Sequence, residues 1–154
     1  MMTHGASPAI EVLARGACVR AGQVLVCRNR EFGNLYLPGG HVDWGEDSAQ
    51  ALRREWREEL GADCRVGRLL GVVEQVYDAR EGRVSEISLV FAVASDELPE
   101  DRPPAAREEH LAFEWMPLEQ VGESELLPRA LAESLADWCR QVAPATPLWR
   151  GFAE

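Results

Sequence analysis

The sequence predicts one α/β (α+β) domain, a layered sandwich of strands and helices, and three observations predict it. The chain has 154 residues and a mass of 17.1 kDa, enough to bury its own core without a metal or disulfide staple. Hydrophobic residues at 46% and charged residues at 27% make a globular composition. Segments of strand character interleave with two helical patterns, with no internal repeat and no linker between them. One domain over 1–154 is therefore expected, with its core at about 10–142 and peripheral ends at 1–9 and 144–154.

Ile10 to Val19 and Gln23 to Arg28 are rich in β-formers and meet at Ala21-Gly22, which reads as a hairpin. A polar loop, Asn29 to Asn34, leads to the short extended piece Leu35-Tyr36-Leu37, ended by a turn at Pro38-Gly39-Gly40. A helix follows from about Asp47 to Leu60, with Asp47 or Ser48 as N-cap and Gly61 as the left-handed residue after its end. Strands are expected at Arg65 to Tyr77 and Val84 to Ala94, with residues 78–83 as the turn between them. Asp96 to Glu109 is rich in Pro and charge and forms a long loop, the kind that often carries function. Leu111 to Met116 is a further strand. Leu131, Leu135, Trp138 and Val142 then recur at i, i+4, i+7 and i+11, which predicts a second helix over Leu127 to Val142.

The charge excludes several functions. The formal balance is -10, from 26 acidic and 16 basic residues, and every basic residue is Arg. Without Lys there is no Schiff-base, P-loop or protein-kinase chemistry. An acidic chain is also a poor partner for a nucleic-acid polymer. The surplus lies in residues 74–154, where it serves either as a solubilising surface or as a cation-binding face. No apolar run is long enough for a membrane span, and the first residues show no signal-peptide pattern. Four Cys (18, 27, 64 and 139) lack metal-like spacing, which suits reduced thiols in a cytoplasmic protein.

Chemistry concentrates between Gly40 and Ala62. On a wheel of about 100° per residue with Glu55 as origin, Glu59 falls near 40° and Glu58 near 300°. Three carboxylates thus share one arc, while Ala49, Leu52, Trp56 and Leu60 form the apolar stripe. Such acids repel one another at i, i+3 and i+4 unless a cation or nearby Arg residues compensate them. Hard cations such as Mg²⁺ prefer oxygen donors and bridge to phosphates. The Gly pair before the helix permits close backbone approach to a ligand.

This stretch reads Gly40, five residues, Glu46, seven residues, then Arg54-Glu55-Trp56-Arg57-Glu58-Glu59-Leu60-Gly61-Ala62. It resembles the Nudix hydrolase box, G-x5-E-x7-R-E-U-x-E-E-x-G-U, at every fixed position, with Trp bulky and Ala small for the apolar sites U. The resemblance implies an α/β/α sandwich with a mixed β-sheet between helices. It also implies hydrolysis of a nucleoside diphosphate linked to another moiety, by water attack on phosphorus with Mg²⁺, or Mn²⁺ in its place.

By the same resemblance, Glu55, Glu58 and Glu59 are metal ligands, a Gly39 or Gly40 carbonyl completes the set, and Glu55 is also a candidate base. Arg54 orients Glu55, and Glu46 braces the loop. For a base outside the box Glu109 is the first candidate, with Glu74 and Glu86 as alternatives. Arg28, Tyr36, His41 and Tyr77 are weaker candidates for substrate contact, with Phe32 as a further stacking residue. The substrate class stays open among nucleoside triphosphates, nucleotide sugars and dinucleoside polyphosphates. A catalytically silent ligand sensor is the alternative, although such a domain would be expected to lose box carboxylates. Many relatives form homodimers, for which the N-terminal strand and the tail with Trp149 and Phe152 are the candidate surfaces here.

Overall fold

The computed structural model describes residues 9–152, so the expectation about a leader at the N-terminus lies outside the described residues. Strand β1 (Ile10–Arg20) turns at Ala21-Gly22 into β2 (Gln23–Asn29), as the sequence predicts. Both turn residues have positive φ, the geometry that a two-residue hairpin demands. After the short β3 (Leu35–Tyr36) the Gly pair differs from expectation. Gly39–His41 is not only a turn but a strand, β4, paired antiparallel with the middle of β1. Gly39 has φ 139°, and a Cβ there would meet the Ala14 carbonyl oxygen at 2.1 Å, so only glycine fits this approach.

Helix α1 (Ser48–Leu60) begins at Asp47, whose carboxylate accepts from the Gln50 amide while Gln50 Oε1 accepts from the Asp47 amide. This reciprocal capping satisfies two donors that the first turn leaves free. Gly61 closes the helix in the left-handed region. The long hairpin of β5 (Arg65–Ala79) and β6 (Gly82–Ala94) turns at Arg80-Glu81, tighter than the sequence predicts. Strand β7 (Leu111–Pro117) follows the acidic loop and runs into an unforeseen 3₁₀ turn at Leu118–Glu123. Helix α2 (Arg129–Arg140) is shorter than its periodicity suggests: Val142 lies beyond it and is 93% exposed.

The sheet runs β3-β2-β1-β6-β5, with β4 added beside β1 and β7 beside β2. It is mixed, because β1 and β6 pair in parallel. Alternation sorts its side chains into two cores. Ala14, Cys18, Leu25 and Phe91 meet Leu52, Trp56 and Leu60 of α1 on one face. Ala17, Val24, Val26 and Val90 meet Leu131 and Leu135 of α2 on the other, giving the sandwich of helices about a sheet. Trp56 fits the box because Gly16 leaves room: a Cβ there would lie 3.1 Å from the indole nitrogen. In the tail, Trp149 is not a free surface. It packs edge-on against Phe91 with centroids 5.0 Å apart, which leaves Phe152 exposed.

Candidate active site

Helix α1 buries its apolar stripe, and this turns Glu55 and Glu59 toward β4. The Glu55 carboxylate fills the space beside Gly40, where a Cβ would come within 2.5 Å of it. Glu59 Oε2 accepts from the Gly39 amide at 3.4 Å. Glu58 lies further round the helix, exposed, and faces Arg54 at 3.5 Å.

Arg54 is the electrostatic hub. Its guanidinium bonds Glu46 at 2.6 and 3.1 Å, Glu55 at 3.0 Å and the His41 carbonyl at 2.9 Å, and it stands 3.4 Å from Asp43. Hydrogen bonds from Arg54 hold the Glu46 carboxyl below the usual carboxylate range. Glu46 also accepts from the Asp43 amide, so it fastens the loop before α1 to the helix.

The two carboxylates near β4 titrate in the opposite direction. Burial raises the Glu55 carboxyl although Arg54 opposes the shift. Burial pushes Glu59 up to about 8; the Glu55 and Glu108 carboxylates add to this, while Arg15 and the Gly39 amide oppose it. The burial of these two carboxylates is therefore only partly offset by the charges of Arg54 and Arg15. The donors of the site are hard oxygens, which suits a divalent cation rather than a soft metal. Among the described residues no three carboxylate, His or Cys groups converge closely enough to enclose an ion. An ion shared by all three glutamates needs Glu58 to swing away from Arg54, a rotamer change open to an exposed side chain. The Gly39 carbonyl accepts from Arg15 at 3.1 Å and keeps a second lone pair.

Beside this cluster opens a cleft of about 800 Å³, lined among others by Glu11, Arg15, Tyr36, His41, Tyr77 and Glu86. Arg15 joins the two regions. Its Nη1 donates to the carbonyls of Leu37 and Gly39, both at 3.1 Å, and its guanidinium stands 5.5 Å over the Tyr36 ring. Reading the sequence for motifs misses Arg15, although a lone charge inside the apolar run Val12 to Val19 is a signal that could have found it.

Other candidates fall where the sequence cannot place them. Tyr36 accepts from the Asn34 amide at 2.8 Å, and His41 meets Glu11 at 3.0 Å. Burial, then the charges of Glu86 and Glu11, raises the Tyr77 hydroxyl. Phe32 stands exposed at the rim. Arg28 does not line the cleft: it is engaged with Glu114 at 3.0 Å and the Gly33 carbonyl at 3.2 Å. Glu74 lies exposed on the face of β5 opposite Gln75 and Tyr77. In the acidic loop Glu109 is exposed, and its neighbour Glu108 is the residue whose charge reaches Glu59. Adjacent residues of a loop diverge, and sequence spacing could not tell which of the two turns inward. Burial raises the thiols of Cys27 and Cys64 to about 12, so neither is a nucleophile at neutral pH.

A mixed sheet between two helices, with a glutamate-bearing helix set against a Gly-Gly strand, defines a Nudix-fold domain. The family model for the NUDIX domain matches residues 11–139, and the chain belongs to the Nudix hydrolase family. Among solved structures it is similar to a MutT NUDIX hydrolase from Burkholderia pseudomallei, with TM-score 0.66 and 29% identity, over 80% of this chain and 95% of that one. It also resembles the MutT protein from Methanosarcina mazei Go1 in fold, with TM-score 0.65 and 22% identity, over 88% of this chain and 97% of that one. Among curated proteins, the 8-oxo-dGDP phosphatase NUDT18 of Danio rerio is 48% identical over 44 residues, 29% of this chain and 14% of that protein. Diphosphoinositol polyphosphate phosphohydrolase 3-alpha of Mus musculus is 33% identical over 93 residues, 56% of this chain and 54% of that protein. The chain thus spans about half or less of the length of these curated relatives. Among the described residues no helix is long and apolar enough to cross a membrane.

Proposed function

We propose that the protein is a divalent-cation-dependent pyrophosphohydrolase, which cleaves a nucleoside diphosphate linked to another moiety by attack of water on phosphorus. One observation carries this reading: Glu55 and Glu59 are gathered against Gly39-Gly40, their burial only partly offset by Arg54 and Arg15, beside a cleft large enough for a nucleotide. Glu55, Glu58 and Glu59, with a Gly39 or Gly40 carbonyl, would hold Mg²⁺ or Mn²⁺. When bound, the cation neutralises the pyrophosphate, polarises the phosphoryl group and acidifies the attacking water.

The protein's own groups do the rest. Arg54 fixes the Glu55 carboxylate by a charge-assisted bond, and Glu46 fixes Arg54 in turn. Arg15 sets the Gly39 carbonyl in place and keeps Nε and Nη2 free of hydrogen bonds to the described residues, so it can meet a phosphate oxygen at the cleft mouth. A carboxylate of the acidic loop takes the proton of water. The sequence points to Glu109 for this role, and the charge of Glu108 acting on Glu59 favours Glu108 instead.

The test is release of phosphate or nucleoside monophosphate from a panel of nucleoside triphosphates, nucleotide sugars and dinucleoside polyphosphates, with and without Mg²⁺. Turnover that needs the cation is expected. Equal turnover in excess chelator would sink the proposal, and tight binding without turnover would favour a ligand sensor.

A further inference from the structure

Outside the box, the cleft floor carries a polar row that stability alone does not explain. Parallel pairing of β1 with β6 sets Glu11 directly beside Glu86, and antiparallel pairing of β5 with β6 sets Gln75 on its other side. Neighbouring strands lie about 4.8 Å apart, and like charges directly opposite one another destabilise a sheet. Glu86 is only 6% exposed. Its Oε1 accepts from Gln75 Nε2 at 3.1 Å and from Ser88 Oγ at 2.8 Å, while Oε2 accepts nothing from the described residues. Gln75 has given its amide to Glu86, and its carbonyl oxygen has no donor among the described residues. Glu11 is held at 3.0 Å by His41. The floor therefore presents acceptors that no donor among the described residues takes, and because these oxygens open to the cleft rather than being sealed among protein atoms, the donors of a ligand can reach them.

We propose that Glu86, with Gln75 and Glu11 beside it, reads the nucleobase of the substrate, and that the base it takes presents two adjacent N–H donors, the guanine-type edge. This rests on the pyrophosphohydrolase reading of the same site and names its substrate class. With Oε1 filled by Gln75 and Ser88, the acceptors left open are Oε2 of Glu86 and the side-chain carbonyl of its neighbour Gln75, and each can take one of two adjacent N–H groups. Guanine offers its ring N1–H and 2-amino group side by side, whereas adenine turns an acceptor nitrogen to the same place. Tyr36 and Tyr77 border the cleft with flat apolar faces suited to a base. A polyphosphorylated polyol fits poorly: Glu11, Glu31, Asp78 and Glu86 face only Arg15 and Arg80 across the cleft, and this surplus repels a polyanion.

The experiment compares kcat/KM for guanosine, inosine and adenosine triphosphates, which share one leaving group, in wild type and Glu86→Gln. Wild type should prefer guanosine over adenosine by about tenfold or more, with inosine between them because it keeps N1–H and lacks the 2-amino group. In Glu86→Gln, and to a lesser degree in Gln75→Met, that preference should collapse to within about threefold. Equal wild-type rates on guanosine and adenosine compounds overturn the proposal, as does a preference that survives in Glu86→Gln. If no triphosphate turns over, the reaction assignment fails separately. The base assignment is then judged by calorimetric binding of guanosine and adenosine monophosphates to wild type and Glu86→Gln, where indifference to the base overturns it. Tighter binding of inositol hexakisphosphate than of guanosine monophosphate would also overturn it.

Discussion

Replacing Glu59 by Gln separates what its carboxylate does for the site from what it does to the fold. Burial moves this carboxyl from its ordinary 4.5 to about 8 in the native protein. Between those two values the folded state keeps the proton and the unfolded chain has lost it, so unfolding releases a proton and stability falls as pH rises. The slope is about 1.4 kcal/mol per pH unit, and the whole displacement amounts to roughly 5 kcal/mol above pH 8. Below pH 4.5 both states are protonated and the contribution vanishes. Glu55, raised in the same direction, adds to the trend. Glu59→Gln cannot titrate. In metal-free protein it should match wild type near pH 4.5 and exceed it by roughly 5 kcal/mol at pH 8 and above, equivalent to a melting rise of about 10–20 °C in a domain of this size. Thermal melts of both proteins in chelator across pH 4.5–8.5 make the measurement. Added Mg²⁺ should stabilise wild type increasingly as pH rises and leave the variant nearly unmoved, because only the ionised ligand binds the cation. A constant difference between the two proteins across that range would refute the burial argument.

Two glycine variants distinguish fold from site. Gly40→Ala has an ordinary φ but places its Cβ 2.5 Å from the Glu55 carboxylate, a flexible group that can move aside. Its melting point should shift by only a few degrees while kcat falls about a hundredfold, and retained kcat would separate Glu55 from catalysis. Gly39→Ala meets backbone rather than side chain and has φ 139°, so loss of folded protein by circular dichroism is expected. Arg15→Met keeps an apolar stem and removes the charge facing Glu59. The pH at which metal-free stability stops falling should move upward and KM should rise; an unchanged stability profile would show that Arg15 does not govern Glu59.

Local features were legible in the sequence and long-range juxtapositions were not. Asp47 with Gln50 and Gly61 bound α1 as any capped helix is bound, and the box spacing places Glu55 and Glu59 on one arc before any fold is known. Strand β4 escaped because a three-residue Gly-Gly-His segment has no periodicity of its own and is ordered only by pairing with β1. Helix α2 ends before its sequence pattern does, because the 3.6-residue spacing continues by accident to Val142 after the chain has left the core. The row Glu11–Glu86–Gln75 depends on strand registers across large sequence separations, one of them parallel, and no local signal encodes such a register.

The two arginines nearest the carboxylates differ in a way that bears on substrate entry. Arg54 is spent within the protein: its bonds to Glu46, Glu55 and the His41 carbonyl occupy its guanidinium from several sides, so it orders the helix face and has little left for a phosphate. Arg15 uses Nη1 alone, on two carbonyls, and holds the remaining donors at the cleft. An anionic substrate entering an acidic cleft therefore meets Arg15 as the positive charge beside the glutamate pair that still has donors to give. The same side chain fixes the Gly39 carbonyl and faces Glu59, so whatever draws Arg15 toward a phosphate also changes the field that Glu59 feels. Substrate and cation binding should consequently be coupled through this one residue. Measured together, Mg²⁺ affinity with and without a non-hydrolysable nucleotide should differ by at least about fivefold in wild type and by much less in Arg15→Met. Equal coupling in both proteins would locate the link elsewhere.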